Sequence, residues 1–373
     1  MGSISAANAE FCLDVFKEVK LHRSNDNVLF SSLSMLSTLA LVYMGARGKT
    51  QSQMEKVSYL PLLSKVTSTC CGTAEYIHKS FKDLLSDIGR QNATYSLRIA
   101  DRLYIEKTYP ILQEYIKCAQ KFYKAELEEV DFKTAAEEAR QIINSWVEKE
   151  TNGRIQDLIV SDSIDLNTAL VFVNVIYFKG IWKTAFKKED TEEEPFNVTE
   201  VGGEQTSAND ASEQILELPY ASGELSLLVL LPDDISGLAQ LENKISYEKL
   251  MEWTSPKVME KKRVRVYLPR MKIEEKYNLT SVLTSLGMTD LFSPSANLSG
   301  ISSAESLRIS EAIHEAYVEV TEEGTEAGGS EVVTGEIQQS SEVEEFRADH
   351  PFLFLIKHNP SDMIILFGRY CSP

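Results

Sequence analysis

Between Val318 and Ile356 the chain reads VEVTEEGTEAGGSEVVTGEIQQSSEVEEFRADHPFLFLI, and this stretch constrains the fold more than any other. Val318 and Val320 alternate with polar neighbours, and Phe352 to Ile356 is a continuous apolar run of the kind a sheet buries on both faces. Both ends therefore read as strands. The roughly twenty-five residues that follow Val320 are small, polar and glycine-rich, without cysteine or proline, and compact domains rarely carry so long a connection unless it has a function. The fold must hold an exposed segment between two buried strands.

The surrounding chain is acidic, with net charge −18 over 373 residues. That argues against nucleic acid, whose affinity comes mainly from Lys and Arg neutralising phosphates. No residue set suggests catalysis, a metal or a cofactor: HExxH, GxSxG, Walker and GxGxxG motifs are all missing. Asp349-His350 resembles half a catalytic pair, but it precedes the buried Phe352 run and reads as structural. Lys257, Lys261, Lys262, Arg263, Arg265, Arg270 and Lys272 form the one basic island. It reads as a solvated strand with its loop, or as a patch for a sulfated polysaccharide whose binding salt would abolish.

Periodicity outlines the rest. Residues 4–21 form an amphipathic helix with Phe11, Val15, Phe16 and Val19 on one face. The uncharged run 28–44 carries four serines and a threonine and is slightly short for a membrane span, so it reads as a strand followed by a buried helix. Ser96 to Ile105 alternates as a strand; 134–150 is helical, with Ile142, Ile143, Trp146 and Val147 as its apolar face. Ala169 to Phe178 is apolar on both faces and belongs in the middle of a sheet, with Asn174 its one polar residue. Residues 197–214 are polar and rich in Gly and Ser, with no strand signal. Arg263 to Leu268 alternates up to Pro269, and Tyr277 to Leu286 reads as helix. Five cysteines leave the redox state open between five thiols and one disulfide. Sequons occur at Asn92, Asn197, Asn278 and Asn297, and matter only in the secretory pathway.

Two of these segments carry a family resemblance. Glu322, Glu323, Gly324, Thr325, Glu326 and Ala327 resemble the hinge of a serpin reactive loop, and Phe346 to Ile356 resembles the motif that follows it. Asn144, Trp146, Thr151, Gly153 and Lys179 to Trp182 also match, so the resemblance spans nearly the whole chain, nearest the egg-white members. Ser31-Ser32 stands where the family has Ser-Pro, and roughly a dozen residues are missing near 197–214, which predicts unpaired edges in the smaller sheets. The resemblance implies an α+β serpin fold: three sheets, about eight or nine helices, one domain over 1–373 and a reactive loop at about 322–345. It also implies a Cys71–Cys118 disulfide, worth ~4 kcal/mol on the chain-entropy model. Secretion would use an uncleaved internal signal at about 28–44, with a serine protease as partner and no enzymatic activity.

In the family's mechanism a cut loop inserts into the main sheet and drags the attached protease with it. Every second inserted residue then faces the core: Thr325, Ala327, Gly329, Glu331, Val333, Gly335 and Ile337. Glu331 opposes insertion, because burying an unpaired carboxylate costs several kcal/mol or forces its protonation. Hinge spacing puts the scissile bond at Gln338–Gln339, and counting back from Phe346 puts it at Ser340–Ser341; neither is basic, which argues against a trypsin-like target. Two readings follow: an egg-white-type soluble serpin with weak or absent inhibition, and a working inhibitor of a non-trypsin-like protease.

Overall fold

The computed structural model describes residues 4–60, 71, 75–89, 94–124, 127–198, 212–255, 257–323 and 344–373. Among them are nine α-helices and three sheets of five, five and two strands.

The main sheet has the order β3 (Leu127–Val130), β2 (Tyr95–Glu106), β4 (Leu170–Gly180), β9 (Ile309–Val320), β8 (Met271–Asn278). β4, the run apolar on both faces, is central. Its even-numbered side chains (Phe172, Asn174, Ile176, Phe178) face the large core, and its odd-numbered valines face a second, smaller core under α6 (Ala136–Glu150). β4 and β9 pair in parallel, from Leu170 opposite Ile309 to Phe178 opposite Val318. β9 runs on directly into the long polar segment. A strand folding back from its end would lie antiparallel to both neighbours, so the β4–β9 seam can accept one without reversing either.

The second sheet, β1 (Val28–Phe30), β12 (Met363–Tyr370), β11 (Phe352–His358), β6 (Leu225–Pro232), β5 (Glu213–Pro219), is antiparallel throughout. α1 (Ile4–Leu21) and α2 (Ser32–Tyr43) pack on β12 and close the core. All twelve residues of α2 are buried, as a core helix requires. Ser31 caps α2 by accepting the Ser34 N–H at 3.1 Å. Ser32, in the place of the family's proline, accepts from Asn8 Nδ2 at 2.9 Å and donates to the Ile364 carbonyl, so the exchange adds polar ties.

The third sheet has two parallel strands, β7 (Val264–Tyr267) and β10 (Glu344–Arg347). Among the described residues β7 pairs with β10 alone.

Several expectations need correcting. Ile142 is 43% exposed, because the helix turns Ile143 and Val147 inward instead. Tyr277 belongs to β8, and the helix α9 starts at Leu279 under the Asn278 cap. Glu213 and Gln214, expected in the polar gap, begin β5, and Glu344 and Glu345, expected in the loop, belong to β10. Cys71 is bonded to Cys118 of α5 (Gln113–Tyr123), with Cα atoms 5.7 Å apart, while Cys12 and Cys371 are buried thiols.

Candidate functional site

The root of the long segment crosses the top of the seam and is tied to the chain that leaves β4. The Trp182 indole Nε1–H donates to the Thr321 carbonyl at 2.9 Å, the Phe186 N–H to Glu322 O at 2.8 Å, and the Trp182 N–H to Glu323 O at 3.1 Å. Trp182 is itself fixed by stacking on Tyr220, with centroids 4.6 Å apart and planes within 10°. Three successive carbonyls are thus committed to this tie. At about 1 kcal/mol net each, they form a modest clasp.

Side chains add to it. The Glu322 carboxylate is buried, accepting from Arg270 Nε at 2.6 Å and from Thr191 Oγ1 at 2.6 Å. Arg270, then Thr191, hold its pKa down to about 2. Glu323 pairs with Lys188 at 2.7 Å across solvent. A cleft of about 1370 Å³ opens beside this clasp toward the two-stranded sheet, lined by Phe186, Thr191, Tyr267, Arg270 and Glu322 among others.

A second polar group lies lower in the seam. Asn174 is opposite His314, four residues below the last β4–β9 pair, so it sits in the body of the seam and not at its mouth. Its Oδ1 meets His314 Nδ1, and its Nδ2, with two hydrogens to donate, lies within hydrogen-bond reach of Ser34 Oγ at 2.6 Å, Thr38 Oγ1 at 3.1 Å and the Asp101 carboxylate. His314 Nε2 accepts the Ser31 N–H at 3.0 Å. Burial depresses His314 to about 3 and keeps it neutral. Otherwise the core-facing residues of β4 and β9 are apolar.

Of the expected site residues, Glu322 and Glu323 form the clasp. Gly324, Thr325, Glu326, Ala327, Glu331, Gln338, Gln339, Ser340, Ser341 and Asn92 lie outside the described residues. Asn197, Asn278 and Asn297 are exposed; Asn278 Oδ1 caps α9 by accepting the Thr280 N–H at 2.9 Å. In the basic island, Arg270 is committed to Glu322 and Lys262 to Glu344 at 2.9 Å, while Lys272 lies over Tyr317. His350 is structural: Nε2 reaches the Pro232 carbonyl at 2.7 Å and Nδ1 reaches Asp349 at 2.8 Å. Among the described residues no His, Cys, Asp and Glu cluster could hold a metal, and no helix is long and apolar enough to cross a membrane.

The sequence reading missed Asp101, His314, Thr191 and the part Arg270 plays. Asp101 had a signal: it stands in the inward register of β2 with Leu97, Ile99, Leu103 and Ile105. A carboxylate at such a position must find partners.

The family model described as "Serpin (serine protease inhibitor)" matches residues 6–373. Ovalbumin-related protein Y of Gallus gallus is 59% identical over 388 aligned positions, covering all of both chains. That alignment is longer than the 373 residues here, as a deletion requires. Crystalline uncleaved ovalbumin superposes with a TM-score of 0.88 at 49% identity, covering 100% of each chain. A cleaved, loop-inserted ovalbumin mutant gives 0.87 at 47%, again covering 100% of each.

Proposed function

The chain belongs to the serpin family, and from that premise we propose that it is a secreted, ovalbumin-type serpin with weak or absent inhibition, serving as an abundant soluble protein of egg-white type. Serpins inhibit proteases and do not themselves catalyse a reaction, so it is not an enzyme. One observation carries the reading. The core-facing residues of β4 and β9, between which a strand would insert, are apolar apart from Asn174 and His314, and counting from the hinge assigns Glu331 to the inward-facing set of the loop. An unpaired carboxylate there slows insertion, and a barrier of about 1.4 kcal/mol already means a tenfold loss against hydrolysis of the acyl link. Acidity suits a protein kept soluble at high concentration. Export would use the 28–44 segment as an internal signal before it is buried as β1 and α2, with glycans on the exposed sequons.

A second reading, suicide-substrate inhibition of a non-trypsin-like serine protease, is favoured by the parallel β4–β9 seam leading straight into the 322–327 hinge. Sulfated polysaccharide could bind Lys257, Lys261, Arg263 and Arg265 under either reading, and a heparin column eluted with salt tests it.

The deciding experiment is incubation with elastase- and chymotrypsin-like proteases followed by a denaturing gel. The expected result is a cut chain and free protease. A high-mass complex that survives SDS overturns the non-inhibitory reading, and if it forms, sequencing the released fragment chooses between Gln338–Gln339 and Ser340–Ser341.

A further inference from the structure

Asp101 of β2 lies opposite Asn174 of β4, and Asn174 opposite His314 of β9, so three neighbouring strands each place one polar side chain at the same level. Their hydrogen bonds have a fixed direction. The Ser31 N–H can only donate, so His314 Nε2 accepts it and the ring proton sits on Nδ1. Nδ1–H then donates to Asn174 Oδ1, which turns the Asn174 amide nitrogen toward Asp101. Asp101 ends the relay as the one acceptor that carries a charge. It also accepts from Ser37 Oγ at 2.7 Å and Ser34 Oγ at 3.3 Å, and among the described residues no Lys or Arg bonds it.

We propose that Asp101 is a positioning residue of the seam: its negative charge, held without a cation behind Asn174, biases β4 and β9 toward parting at neutral pH, and its protonation closes them. Parting breaks the Asn174–His314 bond and frees the Asn174 amide. Water can then reach the carboxylate, so the cost of the charge falls in the open form.

The sign follows from linkage. Burial raises Asp101 to about 6 in the closed protein, against the lowering effect of its hydrogen bonds. In the open form it returns toward the ordinary carboxylate value near ~4. Opening is therefore least favourable below about pH 4 and becomes easier as pH rises through about 6. The other groups facing Asp101 do not titrate in that window. α2 contributes only Ser34, Ser37 and Thr38, β4 contributes Asn174, and His314 of β9 is held down to about 3. Arg102 pairs with Glu128 on the other face of β2, and Glu315, on the other face of β9, is raised by burial and by Glu274 of β8, the strand that stays paired with β9 when β4 parts from it. The inference concerns the intact chain and does not depend on whether the loop inhibits anything.

The test is hydrogen exchange of the β4 and β9 amides at pH 4.5 and pH 7, corrected for intrinsic rates, in the natural protein and in Asp101→Asn. In the natural protein the opening constant should rise about twentyfold between the two pH values. In the variant it should be flat and stay near the low-pH level. A flat natural profile overturns the proposal, as does a variant that keeps the rise. If Asp101→Asn does not fold, Asp101→Ser serves in its place, and the natural profile alone remains decisive against the proposal.

Discussion

The two five-stranded sheets share a core and differ in how their strands are held. In the second sheet every pair is antiparallel, and all residues of β6 and β12 are buried. Gly368 of β12 lies so close to Phe354 of β11 that an added Cβ would come within 2.2 Å of the ring. In the main sheet the central pair is parallel and is crossed by a polar row, Asp101–Asn174–His314, with a hydrogen-bonded clasp above it. Apolar interlock has no substitute partner once opened, whereas hydrogen bonds can be exchanged for water or for a new strand at small net cost. One sheet is built to stay closed, and the other is joined where it can part.

Substitutions should break that contrast in graded fashion. Gly368→Val should act most strongly, since neither Phe354 nor the backbone can yield: a loss of more than about 3 kcal/mol, seen as little soluble protein or a collapsed melting temperature. Asn174→Ala should cost about 2 kcal/mol in denaturant unfolding by leaving the Asp101 and His314 partners unmatched, and should speed exchange in β4 and β9 but not in β6 and β11. Glu322→Gln should cost about 1 kcal/mol, because Arg270 is largely solvated. Its effect has a pH signature. The folded pKa of Glu322 is depressed to about 2 from 4.5, so its contribution is present above about 4.5 and fades as pH falls through about 2. Melting curves of the natural protein and this variant should converge over that window.

Local pattern made much of this legible. α1 follows from the Phe11, Val15, Phe16, Val19 stripe, and β4 from its unbroken apolar run. β8 was lost because Pro269 reads as an end and Tyr277 as helix, although Met271, Ile273 and Tyr277 keep the inward register. The clasp was beyond local pattern: Trp182 and Thr321 are 139 residues apart, and Arg270 looked like one cation in a basic island until Glu322 was placed beside it. Asp101 was the readable residue that went unread.

The most direct measurement of the contrast is amide exchange within the natural protein at neutral pH. Amides that bond β4 to β9 should exchange at least about tenfold faster than those bonding β6 to β11, with the β2–β4 amides of the same strand protected like the latter. Equal protection at the β4–β9 and β6–β11 junctions would contradict the account.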